Sequence, residues 1–219
     1  GRSYFALDVG NPRGLNEAGL AAKLKWEFPS AADATKVGQT LGRPVIVKTD
    51  DDGYVVLLTS GYNSTADGKG RLWMINADTG AVIKEFTVNA GALGAEAGLA
   101  HVVAFGEATG TVRYVYGGDL LGNVWRFDLK GKGAPLSVAT LLGPTGLAQP
   151  VTAAPELLNR NGQRIIFVGT GRLLDITDFG NSNVQTIYAI ADGAPLVNAR
   201  NTLVKQTYDR ASDSMSDNA

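Results

Sequence analysis

The sequence predicts an all-β chain of the β-propeller class, and three observations carry that prediction. One phrase recurs three times: a strand opening near Pro44, Val102 or Pro155, a second strand running into glycine, and a third strand carrying an aromatic residue. The recurrence has a period of roughly 50 to 70 residues and is built of short strands and turns, the pattern of small sheets arrayed around an axis. Within the third strands, the aromatic residue and an apolar residue two positions later fall on one side of the strand.

The elements follow in chain order. Phe5-Ala6-Leu7-Asp8 is a third-strand copy without its earlier partners. The first repeat, near 37–80, is expected to place strands at 44–48, 54–59 and 71–76; its second strand runs into Thr59-Ser60-Gly61 and its third is Trp73-Met74-Ile75-Asn76. The second repeat, near 98–131, predicts strands at 102–105, 112–117 and 122–128, with Gly117-Gly118-Asp119 and Trp125-Arg126-Phe127-Asp128 in the matching positions. The third, near 150–193, predicts a strand starting near Pro155, then 164–168 and 186–190, with Gly169-Thr170-Gly171 and Tyr188-Ala189-Ile190. Asp or Asn and then glycine follow the third strands, at Gly10, Gly80, Gly131 and Gly193. Asx side chains bond nearby amides and glycine tolerates positive φ, so these are tight turns. Proline at the head of a strand fits an edge position, where its missing N–H interrupts no ladder.

Closed propellers use about four to eight blades of four strands. Three complete repeats and one stray strand are therefore expected to be a fragment of about three to four blades, spanning 1–207. Residues 208–219 match no repeat and are expected to form a disordered polar tail.

With 219 residues, 44% of them hydrophobic, the chain can bury a sizeable core. A net charge of −1 gives no electrostatic case for nucleic acid or an anionic membrane surface. The chain has no cysteine, which removes disulfides, thiol catalysis and cysteine metal sites. No apolar run approaches the roughly 18 residues of a membrane helix, so no direct membrane insertion is expected.

Several residues invite a chemical reading and have a plainer one. Asp50, Asp51 and Asp52 before Gly53 offer carboxylates to a cation but read as a hairpin turn. Asp175 and Asp178 are paired carboxylates with no catalytic company, in a long loop suited to recognition. His101 is the only histidine and occupies the slot of Arg43 and Ala154 in the other repeats, so it reads as a strand entrance. Asn63-Ser64-Thr65 matches a glycosylation acceptor without further support. Gly61, Gly117, Gly118, Gly169 and Gly171 fit no phosphate loop and are expected to allow close packing of blades near the axis. Trp73, Trp125 and Tyr188, equivalent across the repeats, are expected to be inter-blade core rather than a binding surface.

The connection from Asp119 to Trp125 is short, whereas 62–70 and 172–185 are insertions on the same template. Insertions in repeat proteins map to the working surface. Tyr62, Asn63, Asp67, Lys69, Asp175, Asp178 and Asn181 are therefore the expected partner contacts.

Two stretches carry a family resemblance. Ser60-Gly61-Tyr62-Asn63-Ser64-Thr65 with Gly70-Arg71-Leu72-Trp73 through Asp78-Thr79-Gly80 resembles the block GxGYNS…G.L…D..TG of the PilC/PilY family of type IV pilus tip-associated adhesins. Tyr116-Gly117-Gly118-Asp119-Leu120-Leu121-Gly122-Asn123-Val124-Trp125-Arg126-Phe127-Asp128-Leu129 is similar to that family's YxGDLxGNxWxFDL segment. Gly169-Thr170-Gly171-Arg172-Leu173-Leu174 and Tyr4-Phe5-Ala6-Leu7-Asp8-Val9 add weaker matches, so the resemblance runs from about residue 4 to about residue 192.

The resemblance implies the C-terminal propeller of a larger exported protein at the cell surface, pilus tip or outer membrane. Such proteins support pilus assembly, adhesion and twitching motility, with pilus subunits or minor pilins and a host or surface receptor as partners. It also implies a calcium loop before the YxGD segment, whose first, third, fifth and ninth positions here are Phe105, Glu107, Thr109 and Arg113. Calcium takes six to eight oxygens. Phe105 offers none and Arg113 brings a cation, so no metal is expected in this loop; Asp50 and Asp52 are the weaker alternative. No other cofactor is expected. Ala77-Asp78-Thr79-Gly80 also resembles the repeat motif of quinoprotein dehydrogenase propellers, which leaves a quinone-dependent enzyme and an outer-membrane assembly scaffold as alternative readings.

Overall fold

The computed structural model describes residues 1–11, 13–131, 136–146 and 148–218. Its strands group into sheets that follow one another along the chain. The first is a pair, β1 (Tyr4–Leu7) and β2 (Leu24–Phe28), flanking the one-turn helix α1 (Glu17–Ala21). The first full sheet holds β3 (Val45–Thr49), β4 (Gly53–Thr59), β5 (Arg71–Asn76) and β6 (Val82–Thr87) in sequential antiparallel order. The second holds β7 (Leu99–Gly106), β8 (Val112–Asp119) and β9 (Asn123–Asp128), and the chain then leaves it. It adds β10 (Leu136–Val138) in parallel to β6 of the preceding sheet and returns to place β11 (Thr140–Pro144) beside β9. The third sheet has β12 (Glu156–Arg160), β13 (Gln163–Gly169) and β14 (Ile187–Ala191). All eight strands predicted with bounds exist, as do those expected near Pro155 and at Phe5, and β5 matches its predicted bounds residue for residue. The fourth strands β6 and β11 were not predicted.

The core lies between the sheets, as the period-2 pattern requires. Trp73 with Ile75, Val56 and Leu58 packs on Tyr4 and Phe28 of the β1–β2 pair; the rings of Trp73 and Phe28 stand 5.0 Å apart. Alternate residues Leu57, Leu72, Met74 and Phe86 face the other way and meet Val115, Trp125 and Phe127 of the next sheet. Phe86 and Phe127 cross edge to face at 5.7 Å, and each such burial removes about 1.5–3 kcal/mol of apolar hydration. Tyr116 and Val124 then pack on Ile166, Val168, Tyr188 and Ile190. Trp73, Trp125 and Tyr188 thus each wedge against the preceding sheet, at 0%, 2% and 5% exposure.

The glycines divide. A Cβ on Gly61 would sit 1.8 Å from the Gln39 carbonyl oxygen and one on Gly118 would sit 2.2 Å from Val151 Cγ1, so close packing demands both. Gly117 is tight as well, at 2.9 Å from Val102 Cγ1. The expectation fails at Gly169, where a Cβ would meet nothing within 4 Å, and at Gly171, where the nearest atom is 3.8 Å away. Gly171 instead supplies a φ of +136°, which L side chains rarely adopt.

The expected tail is also not shapeless. Tyr208–Asp209 and Ser214–Met215 form a two-residue hairpin, β15 and β16, after the short helix α2 (Ala199–Thr202). Asp209 accepts from Ser212 Oγ and Ala211 N–H, and Asp213 takes φ +51°, so the polar residues close a turn. Ala219 lies outside the described residues.

Candidate functional site

The insertions 62–70 and 172–185 come from different sheets and meet at one cleft of about 300 Å³. The first contributes Tyr62 and Asn63, the second Arg172, Leu174, Asp175 and Asp178.

Tyr62 is part of the frame rather than of the surface. It is buried, and burial alone pushes its hydroxyl up to about 12. Its carbonyl accepts from Gln39 N–H at 2.6 Å, and the ring fills space that a side chain at Gly98 would need, since a Cβ there would lie 2.7 Å from Tyr62 Cδ1. Asn63 follows at φ +59°, a left-handed conformation Asn tolerates, and is exposed at the loop tip. Further along, Arg71 grips both oxygens of Asp67, at 2.8 and 2.6 Å, and donates through Nε to Glu85 at 2.9 Å. Glu85 in turn accepts from Lys36 at 3.0 Å. The Arg71 hydrogen bonds hold the Asp67 carboxyl down to about 2. Lys69 donates its backbone N–H to the same Asp67.

The second insertion is organised by Asp178. Its carboxylate accepts from Arg172 Nε at 2.8 Å and from the Leu174 and Asp175 N–H groups at 2.9 and 3.1 Å. Asp175 caps the short 3₁₀ turn Ile176–Gly180 through the Thr177 N–H at 3.0 Å. The Arg172 hydrogen bond, then the backbone donors, keep Asp178 below the usual carboxylate range. It is a buried anion that ties the loop's backbone to Arg172. Polar pairing at the base turns apolar residues outward: Leu173, Ile176, Phe179 and Val184 are exposed, with Asn181 beside them. Gln149 anchors the far end, donating to the Val184 carbonyl at 2.9 Å and Thr186 Oγ1 at 2.8 Å and accepting from the Tyr188 hydroxyl.

A second cleft, of about 490 Å³, brings together the two stretches weighed for calcium: Asp50 and Asp51 on one side, Glu107, Thr109 and Arg113 on the other. The residues do not fit the ion. Glu107 accepts from Arg164 of the next sheet, and Arg113 forks onto both oxygens of Asp128 at 3.1 and 2.9 Å. Asp51 accepts from Gly131 N–H at 3.0 Å, the Asp52 N–H caps on Thr49 Oγ1, and Phe105 lies under the Arg164 guanidinium at 5.2 Å. Guanidiniums of Arg113, Arg126 and Arg164 surround the Tyr114 ring at 4.7, 5.2 and 4.8 Å. Among the described residues no three His, Cys, Asp or Glu side chains converge to hold a metal. His101, on β7, sits beside Arg43; burial and that charge lower its pKa.

Sequence reasoning passed over the buried hub at Asp119, although the Gly-Asp-Leu segment held it in view. Its carboxylate takes four donors: Leu121 N–H, Asn123 N–H and Asn123 Nδ2 at 2.9 Å, and Trp125 Nε1 at 2.7 Å. The carbonyl of Asp119 accepts from Val151 N–H, and the next residue, Leu120, lines the loop cleft.

The sequence matches the family described as PilY1 beta-propeller domain over residues 1–215. The chain belongs to the PilY1 β-propeller family. It is similar to a type IV pilus biogenesis factor PilY1 homolog of Xylella fastidiosa, 36% identical over 93% of this chain and 16% of the relative. A second homolog of that organism is 32% identical over 94% of the chain and 15% of the relative. PilY1 of Pseudomonas aeruginosa strain UCBPP-PA14 is 30% identical over 94% of the chain and 21% of the relative. In the crystal structure of the P. aeruginosa PilY1 C-terminal domain, the matching region superposes with a TM-score of 0.76 at 29% identity, covering 95% of this chain and 48% of that one. The chain thus spans about a fifth or less of the curated PilY1 relatives and about half of the solved domain.

Proposed function

We propose that this PilY1-family chain is a non-enzymatic propeller module of a type IV pilus biogenesis factor, exported to the cell surface, pilus tip or outer membrane. In that setting it supports pilus assembly, twitching motility and attachment to a host or surface. The observation that carries the reading is the convergence of the two insertions on one cleft, which gives one end of a rigid sheet array a combined polar and apolar rim. Pilus subunits or minor pilins are the partners proposed for that end, with Asn63, Asn181 and the exposed apolar residues of 172–185 as contacts. Tyr62, Asp67 and Asp178 shape the loops from within, and Lys69 flanks them. No described helix is long and apolar enough to cross a membrane.

The test replaces Ile176 and Phe179 by Asp together in the full-length protein, in a piliated bacterium that depends on it. Both side chains are outward, so thermal stability should hold while surface piliation and twitching fall. Wild-type piliation, twitching and attachment in a normally expressed double variant would refute the assignment of this surface.

A further inference from the structure

Sheet three lacks what its two siblings have. Beside β5 lies β6 and beside β9 lies β11, but among the described residues nothing pairs with the outer edge of β14. The direction of its backbone groups can be read from its ends. Thr186 accepts from Thr170 N–H and Asp192 donates to the Arg164 carbonyl, so even-numbered residues point toward β13. Ile187, Ala189 and Ala191 therefore present N–H and C=O groups outward. That edge carries no charge, proline or bulge, the devices that usually keep open edges from pairing.

The chain also holds the matching strand. Gly133-Ala134-Pro135-Leu136 is followed by Thr140-Leu141-Leu142, and Gly193-Ala194-Pro195-Leu196 by Thr202-Leu203-Val204. In the first copy, the chain at Leu136 joins the outer edge of the preceding sheet as β10, and Thr140 then opens β11, the fourth strand of its own sheet. In the second copy, Leu196 N–H donates to the Leu142 carbonyl, so the chain again joins the outer edge of the preceding sheet, at β11. The second half of the movement is absent. Two extra residues wind into α2, and Leu203 through Thr207 leave as irregular chain with Val204 56% exposed. Leu203 nonetheless already packs on the cluster that contains Tyr188 and Ile190.

We infer that residues 203–207 are a strap that docks antiparallel on β14 as the fourth strand of the third sheet, and that the open edge is the undocked state of this device. Carrying over the β11–β9 register, including its bulge at Leu142, pairs Leu203 with Tyr188 and Lys205 with Ile187. Docking covers the uncharged edge next to the apolar loop 172–185; undocking exposes it.

The chain has no cysteine, so a pair can be introduced cleanly. In Ile187→Cys with Lys205→Cys, docking brings the Cα atoms within about 4.4–6.8 Å, and mild oxidation should close an intramolecular disulfide. In the wild-type chain, the Ile187 amide, which this register pairs with Lys205, should exchange with solvent about tenfold or more slowly than in Lys205→Pro, which removes the strap's own N–H from that pair. A cysteine pair that stays reduced overturns the proposal. So does an Ile187 amide that Lys205→Pro leaves unchanged, whether fast in both proteins because the edge is open or slow in both because something else covers it.

Discussion

Asp119→Asn is the sharpest perturbation of the blade template. The wild-type carboxylate has zero exposure and divides its oxygens: Oδ1 serves the Leu121 and Asn123 N–H groups, Oδ2 the Asn123 amide and the Trp125 indole. An asparagine keeps one oxygen for one pair and turns an N–H toward the other. Each buried donor left without an acceptor costs about 1–3 kcal/mol, and two are left. Burial also pushes the Asp119 carboxyl pKa up despite its hydrogen bonds, so the neutral amide recovers part of the desolvation cost. The net loss should be about 2–3 kcal/mol, a fall in melting temperature of ~4–12 °C for a chain this size. Calorimetry of the two proteins measures it, with Trp125→Phe as the control that removes a single donor. An Asp119→Asn protein melting within about 1 °C of wild type would refute the reasoning, because four short contacts to one buried group would then contribute nothing net.

Two further outcomes are expected. Asp67 has a folded pKa of about 2, below its ordinary value, so its ion pair with Arg71 stabilises fully above about pH 4 and is lost as pH falls toward 2. Because Asp67 is 40% exposed the effect is under about 1 kcal/mol; acid titrations of wild type and Asp67→Asn should converge near pH 2, and curves that stay parallel from pH 5 to 2 would refute it. Thermal melts in calcium and in chelator should coincide, since an ion held at 100 times its dissociation constant would add about 2.7 kcal/mol. An upward shift abolished by Glu107→Ala would restore a site in the 105–113 loop, and one abolished by Asp50→Ala or Asp52→Ala would place it in the aspartate turn.

The readable part of the fold was its short apolar runs closed by turn residues. Strands such as Arg71–Asn76 bury a run of apolar side chains between two turns, so period and boundaries are both visible. The fourth strands were hidden because their cores are disguised. Val82–Thr87 carries Lys84 and Glu85, charges that look solvent-bound but are buried against the Lys130 carbonyl and the Arg71–Lys36 pair. Thr140–Pro144 contains glycine and proline, ordinary turn residues. At the site, insertion length singled out both loops, but their meeting at one cleft depends on how separate sheets stack. The burial of Tyr62 follows from Gly98, 36 positions along the chain, and that of Asp178 from Arg172, neither of which local pattern reveals.

The excursion of β10 onto β6 has a consequence for how the array comes apart. A segment that follows the second repeat in the sequence completes the rim of the first sheet by hydrogen bonding. Detaching the second repeat must therefore strip the first of an outer strand as well as of its apolar contacts, so neighbouring units share part of their unfolding free energy. Successive repeats should then give way as a linked series, the loss of one lowering the resistance of the one before it.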